Sequence, residues 1–353
     1  MSQLILVTGA GGFIGHHLVT FLKQQGHQVR GIDLKKPEFA ASDADEFILA
    51  DLREAKHAAG ATTGVDSVYA LAADMGGMGY ISSNHARILF NNSLINLNTL
   101  EAARRNGVRH YLFTSSACIY PEFLQTNAAV TALKEEDAYP AQPQDAYGWE
   151  KLIAERLCLH YADDYGMETR IVRFHNIFGP LGTWEGGREK APAAICRKIA
   201  VAKLTGQSEI EVWGDGRQTR SLCYIDDCLQ GLTRLMASNY RDPLNLGQDR
   251  AVTIDQLVEL IAAIAGVSVT KRHVSGPQGV RGRNSDNARL RHVLGWEPQI
   301  SLEEGLAHTY KWVEAQVERK LAGGVSTPET LREFSDGVTG RQRSSPAPRA
   351  IEL

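Results

Sequence analysis

The stretch LILVTGAGGFIGHHL, Leu4 to Leu18, decides the fold. Leu4 to Thr8 is an aliphatic, β-branched run that reads as a strand, and an amphipathic helical pattern begins a few residues later. Gly9, Gly12 and Gly15 stand between and inside them. Glycines at this spacing permit a tight turn, let backbone approach a pyrophosphate and bring helix against strand, while the helix N-terminus attracts negative charge. The next strand ends at Asp33, 18 residues after Gly15. A carboxylate there can take the hydroxyls of an adenosine ribose. It would repel the extra phosphate of NADP, so the cofactor expected is NAD. Asp51, ending the third strand in ILADLR, is either an adenine contact or a solvated acid at a strand end.

Working outward, strands are expected at Leu4 to Thr8, Gln28 to Asp33, Phe47 to Leu49, Ser67 to Leu71, His110 to Thr114 and Thr169 to Arg173, with helical patterns between most of them. Long helices are expected from about Asn84 to Asn106, stopped by Gly107, and from Ala146 to Tyr165, stopped by Gly166. That alternation predicts an α/β fold: a Rossmann-type, doubly wound parallel sheet over residues 1–174. The rhythm then breaks in NIFGPLGTWEGGREKAP, followed by a helix around Ala193 to Lys203 and scattered shorter pieces. Residues 175–320 are expected to form mainly a smaller α/β substrate lobe, with later segments returning to the first domain. From Gly323 the chain is rich in Ser, Thr, Gly, Pro and Arg, so 323–353 is expected to be a flexible tail.

The chain has 353 residues, 43% hydrophobic and 22% charged, enough to bury a large core without staples. A net charge of -3 and the absence of long like-charge runs exclude the basic footprint of a nucleic-acid binder. Five cysteines with no CxxC pair argue against both a disulfide framework and a zinc site. No signal-peptide pattern opens the sequence and no apolar run reaches membrane-spanning length, so a cytoplasmic protein without membrane association is expected.

YGWEK places Tyr147 and Lys151 four residues apart on one helix face. An ammonium beside a phenol stabilises tyrosinate, and the positive nicotinamide would add to the effect, so Tyr147 can take a hydroxyl proton while hydride leaves the same carbon. In TSSACIYPEF, Cys118 lies two residues beyond Ser116. An extended chain would turn both side chains to the same side. A free cysteine is more often a small core residue, and Cys158, Cys196, Cys223 and Cys228 are read that way.

The glycine pattern after the first strand, SSAxxY after the fifth and YxxxK on the following helix resemble the extended short-chain dehydrogenase/reductase superfamily, from about Leu4 to Trp312. Longer strings, among them ADMGGMGYI, RFHNIFGPLGTWEGGREKAPAAICRK, WGDGRQTRS and GVRGRNSDN, resemble its GDP-mannose 3,5-epimerase family. The resemblance implies an NAD-dependent, homodimeric isomerase that converts GDP-mannose to GDP-L-galactose, with GDP-gulose. The route it implies is transient oxidation at C4, proton exchange at C5 and C3, and hydride return. It implies catalytic roles for Cys118, Lys190, Tyr147, Lys151 and Ser116, with Cys118 and Lys190 as base and acid on opposite faces of the sugar. Gly9, Gly12, Phe13, Ile14, Gly15, Asp33, Asp51, Ala72, Tyr147 and Lys151 would hold the cofactor. Gly76, Ser116, Cys118, Asn176, Glu189 and Lys190 would meet the sugar, and Lys198, Gln218, Arg220 and Arg283 the GDP, where guanidinium forks match phosphate oxygens. A C4 epimerase, a 4,6-dehydratase or a non-catalytic NAD-binding regulator are the alternatives. Dehydratase relatives carry an acidic pair where this chain has Ala117 and Cys118, and C4 epimerases need no reactive Cys and Lys.

Overall fold

The computed structural model describes residues 2–129 and 132–323. Seven strands form one wholly parallel sheet: β1 (Leu4–Thr8), β2 (Gln28–Asp33), β3 (Glu46–Leu49), β4 (Ser67–Ala70), β5 (His110–Ser116), β6 (Glu168–Phe174) and β7 (Pro243–Leu246). Their order is β7-β6-β5-β4-β1-β2-β3. The direction of winding reverses between β1 and β4, and in such sheets ligands bind outside the carboxyl ends of the strands at that point.

Alternation along the strands explains why both faces are covered. Ile5, Val7, Leu112 and Val172 enter one core with Leu18, Val19 and Leu22 of α1 (Phe13–Gln24). Leu6, Tyr111, Phe113 and Ile171 enter the other core, beneath three helices. These are α2 (Ala55–Ala61), α4 (His85–Arg105) and α5 (Ala146–Tyr165). A one-residue step in register would exchange the two sets, so apolar residues at consecutive positions specify a sheet buried on both sides. Helix ends follow local chemistry. The Asp145 side chain accepts the Gly148 N–H at the start of α5, and Gly166 closes it in the left-handed region at φ +68°.

The described residues after Phe174 also contain α6 (Ala191–Thr205), α7 (Ile225–Ala237), α8 (Ile254–Ala265), α9 (Ala288–Leu294) and α10 (Leu302–Ala322), with short sheets between them. The returning segments are α7 and β7. α7 packs beside α1 and β6, and β7 extends the main sheet from its β6 edge. The first core continues through α6, α8 and α10, so both regions share one apolar interior. Gly323 caps α10, and the rest of the expected tail lies outside the described residues. No described helix is long and apolar enough to cross a membrane.

Candidate active site

The loop after β1 is shaped for close backbone approach. Gly9 has φ +70°, its N–H donates to the Ile32 carbonyl at 2.9 Å, and a Cβ on it would press on Ala72. A Cβ on Gly15 would lie 2.1 Å from the Gly9 carbonyl oxygen, so α1 meets the turn only because that residue is glycine. Gly11, which the spacing argument passed over, is equally constrained: its Cβ would lie 2.0 Å from the Lys35 carbonyl oxygen. Its N–H donates to Asp33 Oδ2 at 2.9 Å. Burial pushes the Asp33 carboxyl upward, against backbone hydrogen bonds from Lys35, Gly11 and Leu34. α1 begins after Gly12 with no acid in its first turn, leaving the end at Phe13 and Ile14 open to an anion. A glycine cradle, a helix N-terminus and an acid at the end of β2 together fit a dinucleotide. The Ala72 N–H is fixed by Thr8 Oγ1 at 3.0 Å. Asp51 pairs with Arg53 at 2.5 Å, which holds its carboxyl below the usual range.

At the end of β5 the chain does not stay extended. Ala117 to Ile119 form a single 3-10 turn, and Ser116 Oγ accepts the Cys118 N–H at 3.1 Å. The expectation that Ser116 and Cys118 share a side through strand alternation is therefore corrected, since a capped turn rather than an extended segment carries Cys118. The sulfur still reaches the catalytic face. Cys118 packs with Tyr80 and Met75 against Tyr147, Ile81 and Ile88. Tyr147 and Lys151 are buried on the first turns of α5, with Lys151 Nζ 5.6 Å from the Tyr147 ring centre and 4.8 Å from that of Phe113. Burial pushes the Tyr147 phenol well up, Cys118 and Glu150 add to the rise, and a hydrogen bond with Ser116 opposes it. The protein groups alone leave Tyr147 a protonated phenol rather than a ready base. Gly148 explains how α5 comes so close, because a Cβ there would lie 2.2 Å from the Cys118 carbonyl oxygen.

Lys190 occupies the N-cap position of α6, near enough to Cys118 for their charges to interact. The residue is exposed, yet neighbouring protein atoms crowd its ammonium. That crowding pushes the ammonium down from its ordinary value, and Cys118 pulls it back up. The exposure moderates this desolvation. Arg283 Nη1 donates to Cys118 Sγ at 3.2 Å, and its Nε to Gln125 Oε1 at 2.7 Å. Arg220 is held by the carbonyls of Thr219, Gln278 and Val280. Burial and the neighbouring Arg283 lower its proton affinity. Among the described residues neither guanidinium is paired with a carboxylate, which makes the pair a site that an anion would relieve.

Other expected contacts are already engaged within the protein. Glu189 pairs with buried Arg197 at 2.9 Å and accepts the Gly187 N–H, and Lys198 Nζ donates to the Glu211 carbonyl at 2.9 Å. Gln218 donates to the Trp213 carbonyl, while its buried Oε1 has no hydrogen-bond donor among the described residues. Asn176, at φ +48°, donates to the Ser221 carbonyl. Gly76 packs against the Tyr80 ring. Sequence reasoning missed the polar floor of the site. Buried Arg173 pairs with Glu155 at 2.7 Å and touches Tyr120, Glu155 also accepts from Ser115, and Tyr120 donates to Asn245. These groups brace the Ser115–Tyr120 segment from below. Arg173 and Glu155 lie 18 apart in sequence, beyond any helical or strand spacing that could have signalled the pair.

With the geometry in place, comparison with known proteins decides the family. Residues 5–247 match the model of the NAD dependent epimerase/dehydratase family. GDP-mannose 3,5-epimerase of Arabidopsis thaliana is 51% identical over 322 residues, covering 91% of this chain and 84% of the relative. The chain belongs to the GDP-mannose 3,5-epimerase family. Among solved structures, UDP-glucose 4-epimerase of Thermotoga maritima superposes with a TM-score of 0.78 at 25% identity, covering 89% of this chain and 99% of that one. MoeE5 in complex with UDP-glucose and NAD superposes at 0.75 with 27% identity over 89% and 99% of the two chains. Epimerase relatives thus share the sheet, and the GDP-mannose 3,5-epimerases also share half of the sequence.

Proposed function

We propose that this chain epimerises GDP-mannose at C3 and C5, giving GDP-L-galactose with GDP-gulose, as a cytoplasmic homodimer that uses NAD. One observation carries the reading: Cys118 packs on the cluster that holds Tyr147 and its charge acts on both Tyr147 and Lys190, so two proton-transfer groups come near the position where Tyr147 would meet a hydroxyl. The glycine loop, Asp33 and Lys151 would hold NAD, which when bound supplies a reversible hydride acceptor for C4. Tyr147 takes the C4 hydroxyl proton and later returns it, with Ser116 hydrogen-bonded to the phenol throughout. Lys151 and the nicotinamide charge offset the burial that otherwise keeps the phenol protonated. A C4 ketone acidifies the hydrogens on C3 and C5. Inversion at each carbon then needs removal from one face and delivery to the other, with Cys118 and Lys190 as the pair. Arg220 and Arg283 suit the diphosphate. On arrival it would compete with Cys118 for Arg283, so the same guanidinium links substrate binding to the sulfur. Exposed Phe90 and Leu97 on α4 and Trp149 and Ile153 on α5 support a homodimer interface on that helix pair.

The direct test is to incubate the NAD-loaded protein with GDP-mannose and separate the sugar nucleotides. GDP-L-galactose and GDP-gulose are expected. A C4 epimer or a 4-keto-6-deoxy product would place the chain with its other relatives, and recovery of GDP-mannose alone would refute the reading.

A further inference from the structure

Lys190 sits on a loop, yet its preceding residues are fixed from two sides. From α6, Arg197 holds Glu189 and the Gly187 N–H closes on the same carboxylate. From the sheet side comes Asp74 to Ile81, the segment after β4, which ends in the short helix α3 (Met78–Ile81). The Gly77 N–H donates to the Arg188 carbonyl at 3.0 Å. A Cβ on Gly77 would lie 2.5 Å from the Glu189 carbonyl oxygen, so the two backbones touch. The Arg188 guanidinium lies 3.8 Å from the centre of the Tyr80 ring and 3.8 Å from Asp74 Oδ1. Tyr80 itself donates to Asp74 Oδ1 at 2.7 Å. Asp74 is anchored in turn to α4: Asn91 donates to its carboxylate at 2.9 Å, Arg87 stands 3.3 Å away, and the Asp74 N–H donates to Asn92 at 2.6 Å.

The same segment also borders the apolar cluster on which Cys118 packs. Tyr80, Met75 and Cys118 each pack against the buried cluster of Ile81, Ile88 and Tyr147. One stretch of chain therefore shares an apolar cluster with Cys118 and touches the backbone before Lys190, while contributing neither proton-transfer group. We propose that Asp74, Tyr80 and Arg188 are positioning residues, a clasp that sets the separation of Cys118 and Lys190 and so controls proton exchange at C3 and C5. Its backbone partner is Gly77, where no side chain fits. The inference rests on the reading of Cys118 and Lys190 as the proton-transfer pair.

Tyr147 is carried by α5, Ser116 by β5 and the glycine loop by β1, so a loosened clasp should separate two steps that ordinary loss of stability would reduce together. The holoenzyme and its Arg188→Gln, Arg188→Lys and Tyr80→Leu variants are mixed with GDP-mannose in heavy water. Deuterium at C3 and C5 is read by NMR, and C4 oxidation by the transient absorbance of reduced nicotinamide. In Arg188→Gln and Tyr80→Leu the exchange should fall about tenfold or more, since a displacement of about 1 Å is worth up to about a hundredfold, with oxidation changed less than about threefold. Arg188→Lys, which retains the charge near Asp74, should recover part of the exchange. The double variant should be no slower than the worse single one, because the two residues act as one device. Unchanged exchange, or exchange and oxidation falling in parallel, overturns the clasp. Absence of exchange in the parent protein overturns the proton-transfer reading on which it rests.

Discussion

Gly148→Ala tests how closely the fold serves the site. The added methyl would lie 2.2 Å from the Cys118 carbonyl oxygen and 2.8 Å from Pro143 Cβ, where ordinary contact begins at 3.4 Å. Relief requires the first turn of α5 to back away from the Cys118 turn by about 1 Å. Two effects on stability oppose each other. Alanine gains about 0.8–1 kcal/mol over glycine inside a helix, and overpacking costs about 1–3 kcal/mol, so the net loss is small, about 0–2 kcal/mol. The catalytic effect is larger, because Tyr147 moves with that turn while Ser116 and Cys118 stay on β5 and its 3-10 turn. A misplacement of about 1 Å costs about a hundredfold, equivalent to about 2.7 kcal/mol in the barrier. The assay is kcat for product formation from GDP-mannose, alongside a thermal melt. The expectation is a protein that melts within a few degrees of the parent but turns over about a hundred times more slowly. A variant with parental kcat would show that the contact does not set the Tyr147 geometry.

Three further outcomes are expected. Glu155→Gln leaves the buried Arg173 guanidinium without its counter-charge, costing about 3–5 kcal/mol and lowering the Tm by about 5–10 °C in a melt. Asp33→Ala removes a charged acceptor and should weaken NAD binding about ten- to a hundredfold by calorimetric titration, with NADP losing less. His175 is buried with its pKa depressed to about 3, so the unfolded chain binds the extra proton between about pH 6.5 and that value. Its contribution is complete above pH 6.5 and is lost as pH falls, by up to about 1.4 kcal/mol per unit. His175→Gln should therefore show a shallower loss of stability between neutral and acid pH in denaturant titrations.

The strands at Leu4–Thr8 and Gln28–Asp33 and the helix at Ala146–Tyr165 were legible in the sequence because apolar periodicity, turn glycines and caps agree there. β7 was not, because four residues beginning with proline, set apart from β6 by almost seventy others, leave no local period to read. At the site, the reactive types and their order were legible by resemblance. Their mutual arrangement was not, since Arg283 reaches Cys118 across 165 residues and Arg188 meets Asp74 through a loop. Gly11 and Gly148 escaped for a different reason. A glycine demanded by the approach of a distant backbone looks like any other until that backbone is in place.

The central claim is that Tyr147 serves C4 while Cys118, with Lys190, serves C3 and C5. Cys118→Ala, given GDP-mannose in heavy water, separates the two by NMR and nicotinamide absorbance read on one sample. The account predicts reduced nicotinamide still appearing transiently, with deuterium at C3 and C5 nearly abolished. Deuterium entering both carbons at the parental rate would contradict it.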